Sequence, residues 1–192
     1  MTLFPDTVGD VLSESILGRA QERDLLRIDT HQIRDYTRNK QKQVDDYPYG
    51  GGHGAVLQAD PLYQCWDHIT RTHGKGRTIY LPPCGRTFDQ EAAKRLARKY
   101  DHLILVCGHY EGIDQRFIDE CVDEEISLGD FVLTGGEIAA MAVADAVCRL
   151  VPGVLPDPAC FQEESFWDGA LEYPQYSRPE VRHGRRVPPI LR

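Results

Sequence analysis

Between Leu103 and Glu137 an unbroken aliphatic run gives way to closely spaced glycines, acids and a second short apolar run. Gly108, Gly112, Gly129, Gly135 and Gly136 carry no Cβ, so the backbone at these bends can adopt positive φ and a ligand can approach its amide groups closely. That combination suits a small-molecule pocket built largely of main chain. Glu111, in the His109-Tyr110-Glu111-Gly112 turn, adds a carboxylate that can hold a magnesium ion directly or through water, or cap its own loop through backbone hydrogen bonds. A G-x-G-x-x-G dinucleotide fingerprint is absent, which disfavours a Rossmann-type dehydrogenase or methyltransferase. A second glycine-rich stretch, Pro48 to Gly54, lacks the Lys-Ser/Thr ending of a phosphate-binding loop.

The elements that must position these bends read as alternating strands and helices. Thr78 to Leu81 is a short β-prone run, and Thr87 with Gln90 has the spacing of a capping box that opens a helix through about Lys99. His102 to Cys107 supplies an unbroken aliphatic run, the pattern of a parallel strand covered on both faces. Phe131 to Thr134 reads as another strand. Glu137 to Val151, rich in Ala, Met and Val, reads as a helix stopped by Pro152-Gly153. Such alternation predicts an α/β fold, a mainly parallel sheet flanked by helices, with ligands at the C-terminal ends of its strands.

With 192 residues and 41% hydrophobic content, the chain can bury one good core with a small appended unit, and is not a disordered protein. No apolar run is long enough to cross a bilayer, and MTLFPDTVGD lacks the regions of a secretory signal, so a cytoplasmic location is expected. The six cysteines are scattered without C-x-x-C pairs or zinc-like spacing and read as reduced packing residues. A net charge of −8 argues against a generally nucleic-acid-binding surface. Positive charge is uneven, however: Arg71, Lys75 and Arg77 flank one loop, and Arg178, Arg182, Arg185, Arg186 and Arg192 crowd the C-terminal end. Either set can contact a phosphate backbone, since counterion release depends on charges at the contact, or can simply solvate the surface.

CGHYEGIDQR followed by DEEISLGDFVLTGGE resembles the bacterial tRNA (guanine-N1)-methyltransferase family, TrmD, of the SPOUT superfamily. The resemblance extends to YTRNKQKQVDDYPYGGGHG (Tyr36 to Gly54), IYLPPCGRTF (Ile79 to Phe88), DAVCRLVPGVL (Asp145 to Leu155), EESF (Glu163 to Phe166) and PQYSRPE (Pro174 to Glu180). These blocks fall in the family's order over nearly the whole chain. It implies S-adenosylmethionine-dependent methylation of guanine N1 at position 37 of tRNA, next to the anticodon. It also implies a SPOUT-type sheet with a deep trefoil knot, its knot loops around Tyr80 to Arg86, Gly108 to Asp114 and Ser127 to Gly136. By matching motif positions, the cofactor contacts implied are Tyr80 and Leu81 from the first loop and Gly108, Tyr110 and Gly112 from the second. The third contributes Ser127, Leu128, Gly129, Phe131, Leu133, Gly135 and Gly136.

The chemistry needs a base for the guanine N1 proton and a partner for the negative charge developing on O6. The family's base is an aspartate after the knot domain; Glu164 takes its place here, one methylene longer. Arg149 matches the arginine that positions base and O6, and its fork of donors suits that task; a favourable interaction with its helix C-terminus is compatible with it. Glu111 is the candidate magnesium ligand, and His109 reads as a pocket-rim residue. Pro48 to Gly54 reads as an RNA-facing or a structural loop, with Asp45 and Asp46 capping it or orienting substrate. The resemblance further implies a methyltransferase domain over 1–156, a linker over 157–175 and, over 176–192, the start of a helical tRNA-binding domain that the chain carries only in truncated form. It also implies a first strand shortened by the start at MTLFP, and a homodimer with a composite site. Two alternatives stand beside it: a SPOUT ribose 2′-O-methyltransferase, and a cofactor-binding dimer without RNA activity.

Overall fold

The computed structural model of the chain describes residues 1–157, 159–162 and 164–192. Glu163, the first residue of the Glu163-to-Phe166 motif, lies outside the described residues. Two compact units form, Met1–Asp157 and Pro158–Arg192.

In chain order the first unit contains α1 (Pro5–Leu12), α2 (Ser15–Glu22), β1 (Asp45–Asp46), β2 (Val56–Leu57), α3 (Ala59–His73), β3 (Arg77–Tyr80), β4 (Arg86–Thr87), α4 (Gln90–Lys99), β5 (Leu103–Val106), α5 (Gln115–Cys121), β6 (Glu124–Ser127) and α6 (Glu137–Cys148). The central sheet runs β4-β6-β3-β5 with every pair parallel. Met1 and Thr2 lie along its β5 edge: the Met1 amine donates to the Leu105 carbonyl at 2.9 Å, and the Cys107 N–H donates to the Met1 carbonyl at 3.0 Å.

Alternation along the strands explains the layers, because successive side chains point to opposite faces. Ile79 packs with α4 and α6, against Ala93, Leu96, Ala140 and Val143. Its neighbour Tyr80 packs on the opposite face with α3 and α5, against Leu62, Cys65, Ile69 and Phe117. Ile104 and Val106 of β5 share the Tyr80 side, and Leu103 and Leu105 the other. Leu62, Cys65 and Ile69 recur at helical spacing on one stripe of α3, and full burial of a residue such as Leu62 stabilises by about 1.5–3 kcal/mol. Gly74, at φ 84°, terminates that helix and turns the chain into β3. A third cluster joins α1 and α2 to the outer side of α6 through Val8, Leu12, Leu17 and Met141.

The parallel, doubly covered sheet meets the sequence expectation, but two local readings are corrected. Phe131 to Thr134 is not a strand; the strand is β6, seven residues earlier, whose Glu124 and Glu125 disguised it. Glu124 is held by Arg77 and Arg95, so its charge is compensated at the sheet's end. The Phe131 N–H instead donates to the Gly129 carbonyl at 2.9 Å, a tight turn incompatible with an extended run. The helix α4 is capped by Asp89, whose side chain accepts from Ala92 N at 2.7 Å, while Thr87 lies in β4. A nearer carboxylate wins because its oxygen reaches the free N–H groups of the first turn.

The loop cations also resolve. Arg77 pairs with Asp123 and Glu124 and lies over the Tyr100 ring at 5.5 Å, and Arg71 pairs with Asp67 at 3.0 Å. Both therefore serve this chain's own carboxylates. No helix among the described residues is long and apolar enough to cross a membrane. The second unit contains α7 (Ala159–Gln162) and an antiparallel hairpin of β7 (Val181–Arg182) with β8 (Arg185–Arg186).

Candidate functional site

The C-terminal ends of β3, β5 and β6, adjacent in the sheet, release the three bends at one edge of the first unit. There they enclose a cavity of about 270 Å³, close to the lower end of the ~300–1,000 Å³ usual for small-molecule sites. Tyr80 and Leu81 come from the first bend, Gly108, Tyr110 and Gly112 from the second, and Ser127, Leu128, Phe131, Leu133, Gly135 and Gly136 from the third. Gly129 is the one member of the expected set outside the lining; a Cβ there would meet the Phe131 ring at 2.9 Å, so it supports the wall from behind.

Backbone contacts hold the bends together. The Gly136 N–H donates to the Gly108 carbonyl at 2.8 Å, and His109 and Gly135 form an isolated antiparallel bridge. A Cβ on Gly136 would lie 2.7 Å from Cys107 Cα and 2.9 Å from Gly108 N, so only glycine permits this approach. Ser127 anchors the third bend: its Oγ accepts from Gly129 N at 3.2 Å, and its carbonyl accepts from Phe88 N at 2.7 Å. In the second bend Tyr110 sits at φ 59°, an uncommon conformation for a non-glycine residue and one that concentrates at functional positions. Its hydroxyl accepts from Arg34 at 3.2 Å.

The walls mix apolar groups with a few polar ones. Leu81, Leu128 and Leu133 supply apolar surface, while Tyr80 brings a phenol that burial pushes up to about 12, so it stays protonated across the physiological range. His109 packs its ring against Phe4 and Tyr110, and its Nδ1 is buried without a hydrogen-bond partner among the described residues. An unsatisfied buried nitrogen in a cavity wall is the kind of group a ligand completes.

Glu111 lines the same cavity and is exposed. It also meets the glycine-rich loop: the Glu111 N–H donates to the Ala55 carbonyl at 3.0 Å, and a Cβ on Gly54 would lie 2.6 Å from the Glu111 side chain. Gly50 and Gly51 of that loop have nothing within 4 Å of a would-be Cβ, and Asp46 caps its start by accepting from Tyr47 N at 2.8 Å. No group of three or more His, Cys, Asp or Glu side chains suited to a metal ion occurs among the described residues.

The two catalytic candidates fall in different units. Arg149 follows α6 directly and closes its last turn, its N–H donating to the Asp145 carbonyl at 3.1 Å. Glu164 belongs to the second unit, where its carbonyl accepts from Trp167 N at 3.2 Å, and Ser165 Oγ accepts from Glu172 N at 3.0 Å. Sequence reasoning missed Pro82, Pro83, Val132, Thr134 and Ala139, which also line the cavity. Their positions within or beside the three bends were the only signal available, since proline, valine and alanine carry no chemistry of their own.

Over its whole length, residues 1–192, the chain matches the family described as tRNA (Guanine-1)-methyltransferase TrmD. A tRNA (guanine-N(1)-)-methyltransferase of Alkaliphilus oremlandii is 54% identical, covering 100% of this chain and 79% of the relative. Its namesake in Clostridium novyi is 52% identical, with 100% and 78% covered. The crystal structure of a tRNA (m1G37) methyltransferase from Aquifex aeolicus superimposes with a TM-score of 0.84 at 37% identity, covering 99% of this chain and 79% of that one.

Proposed function

The chain belongs to the tRNA (guanine-1)-methyltransferase TrmD family and is a methyltransferase of that SPOUT-fold class, and from this premise we propose that it methylates N1 of guanine 37 in tRNA with S-adenosylmethionine as methyl donor. The observation that carries the reading is the convergence of three glycine-bearing bends on one cavity at the C-terminal edge of a parallel sheet. Ligands in open α/β sheets bind at that edge.

The residues present fit the donor. Main-chain groups of the bend at Gly135 offer partners for an adenine edge, the leucines offer apolar walls, and His109 Nδ1 offers an unfilled polar position. S-adenosylmethionine, when bound, supplies an electrophilic methyl group on a sulfonium. Glu164 accepts the N1 proton of guanine, and Arg149 donates hydrogen bonds to O6, where negative charge develops. Close alignment of the two reactants is the other main contribution the protein makes. The donor set does not fit a protein-held magnesium cage, because Glu111 is the only carboxylate among the described lining residues. No step is assigned to a metal.

In this reading residues 1–156 form the methyltransferase domain with its trefoil knot, 157–175 a linker, and 176–192 the beginning of a tRNA-binding region. Two copies assemble so that the linker of one completes the guanine site of the other, and the protein works in the cytoplasm. Calorimetry with S-adenosylmethionine, combined with methyl transfer to a tRNA bearing G at positions 36 and 37, tests the proposal. Base methylation at N1 supports it; ribose methylation, or donor binding without transfer, overturns it. Glu164→Gln is expected to keep donor affinity within about twofold while reducing transfer by roughly 10²–10⁴-fold, the usual contribution of a general base.

A further inference from the structure

The second unit carries a feature that the cavity and its chemistry leave unused. β7 and β8 are joined by His183 and Gly184, both at positive φ, 50° and 77°. Positive φ at both central residues defines the tight turn whose twist matches a two-residue hairpin. The register sets Arg182 directly opposite Arg185, and Val181 opposite Arg186. All four strand residues are exposed.

Directly opposed like charges are unfavourable in a strand pair unless something of opposite sign lies between or above them. The described residues do not supply it. Residues 176–192 contain five arginines and one acid, Glu180, and that acid pairs with Arg192 at 2.9 Å. Among the described residues Arg182, Arg185 and Arg186 form no ion pair. The hairpin thus concentrates cationic forks in a chain whose net charge is −8, so any attraction for a polyanion must be local.

We propose that the β7–β8 hairpin is a phosphate-binding site for the RNA backbone, with Arg182 and Arg185 straddling one phosphate and Arg186 engaging a neighbouring one. Guanidinium forks match phosphate oxygens in pairs, and an intervening phosphate turns the Arg182–Arg185 repulsion into attraction. The site contacts phosphates and carries no sequence information, so it positions RNA without choosing the guanine. The inference names a contact for the tRNA of the proposed function and rests on that reading only for which RNA is held.

The test is a titration of the full chain with a tRNA transcript bearing G at positions 36 and 37, at several potassium chloride concentrations. Each phosphate contact contributes roughly 0.7–0.9 to the slope of log affinity against log salt. The triple variant Arg182→Ala, Arg185→Ala, Arg186→Ala is expected to lower that slope by roughly 1.5 and to weaken binding about tenfold or more near 0.1 M salt. Its melting temperature and donor affinity should match the unsubstituted chain, since none of the three residues packs in a core or lines the cavity. The triple lysine variant should retain most of the slope. An unchanged slope in the alanine variant overturns the proposal, and so does loss of binding to phosphatidylserine vesicles with RNA binding intact. Failure of the methyl-donor reading would appear separately, as no calorimetric signal with S-adenosylmethionine in the unsubstituted chain.

Discussion

Substituting alanine for Gly136 probes the approach of the second and third bends more sharply than any other single change. The φ of Gly136 is −79°, so alanine suffers no backbone strain and the perturbation is purely steric. Its Cβ would lie 2.7 Å from Cys107 Cα, against 3.4 Å for ordinary contact, so the bends must part by about 0.7 Å. No side-chain rotation relieves this, because the atoms met are main chain. Moving them also stretches the Gly136-to-Gly108 hydrogen bond from 2.8 Å, beyond useful length. Overpacking of this kind costs roughly 1–3 kcal/mol. For a chain of this size each kcal/mol lowers the melting temperature by about 2–4 °C. If about 1.4 kcal/mol of the distortion opposes the bound geometry, donor affinity falls about tenfold. Scanning calorimetry and titration calorimetry read the two effects. Gly135→Ala is the comparison: its Cβ would meet the Glu137 carboxylate and the His109 ring at 2.5 Å, which are side-chain atoms and can shift further than backbone although Glu137 is buried and holds the Thr2 hydroxyl. Gly136→Ala must therefore be the more damaging for stability. Equal or reversed stability losses, or donor affinity within twofold in the Gly136 variant, would refute the reasoning.

Further outcomes follow from the same structure. Asp89→Ala removes the α4 cap and should destabilise by about 1 kcal/mol, lowering the melting temperature by roughly 2–4 °C. The His31 pKa is lowered, chiefly by burial and then by the N-terminal charge, with His68 and His73 adding to the effect and Asp29 opposing it. The unfolded chain then binds the proton more readily than the folded one, so stability falls as pH drops from about 6.5 toward the lower folded value. Thermal melts from pH 7.5 to 5 should show this fall, reduced in His31→Gln; an unaltered pH dependence in that variant contradicts it. Burial pushes the Cys65 and Cys107 thiols up to about 12, whereas Cys84 and Cys160 are exposed. Iodoacetamide at pH 8 should label Cys84 and Cys160 first, and mass spectrometry showing Cys107 labelled as fast would contradict the burial.

The layered sheet was legible because its signals are local. The aliphatic run at β5 and the apolar spacing in α6 each report burial on their own. β6 was hidden because two of its four residues are glutamates, and only the folded chain brings Arg77 and Arg95 to Glu124. Phe131 to Thr134 misled in the opposite sense, since its apolar residues face a cavity and solvent, where hydrophobic pattern resembles that of a strand. Phe131 and Val132 are 54% and 81% exposed, which no periodicity argument anticipates. The bends were readable as glycines, but the atoms that require glycine were not: Gly136 is set by Cys107 and Gly108, nearly thirty residues away in the chain. The charge on Arg77 was likewise visible without its partners, so a possible phosphate contact and an internal ion pair looked alike.

The composition of the cavity constrains where the proton chemistry resides. Its ionisable lining residues are Tyr80, His109, Tyr110 and Glu111. The Tyr80 phenol is held protonated by burial, and the Tyr110 hydroxyl already accepts from Arg34. His109 Nδ1 is enclosed in the wall beside Gly135, placed to take a hydrogen bond with a ligand. Glu111 is the remaining acceptor; its side chain lies against Gly54 and its backbone N–H donates to the Ala55 carbonyl. A pocket of this kind suits a neutral-edged ligand, and the proposed function places the base outside the bends. Glu164, which the family resemblance supplies, is the base proposed for that role. The Glu164→Gln variant has a control in Glu111→Gln, which should keep the backbone contact to Ala55 and spare the proton transfer. If Glu111→Gln instead suppressed transfer with donor binding intact, and Glu164→Gln did not, the base would belong to the cavity itself.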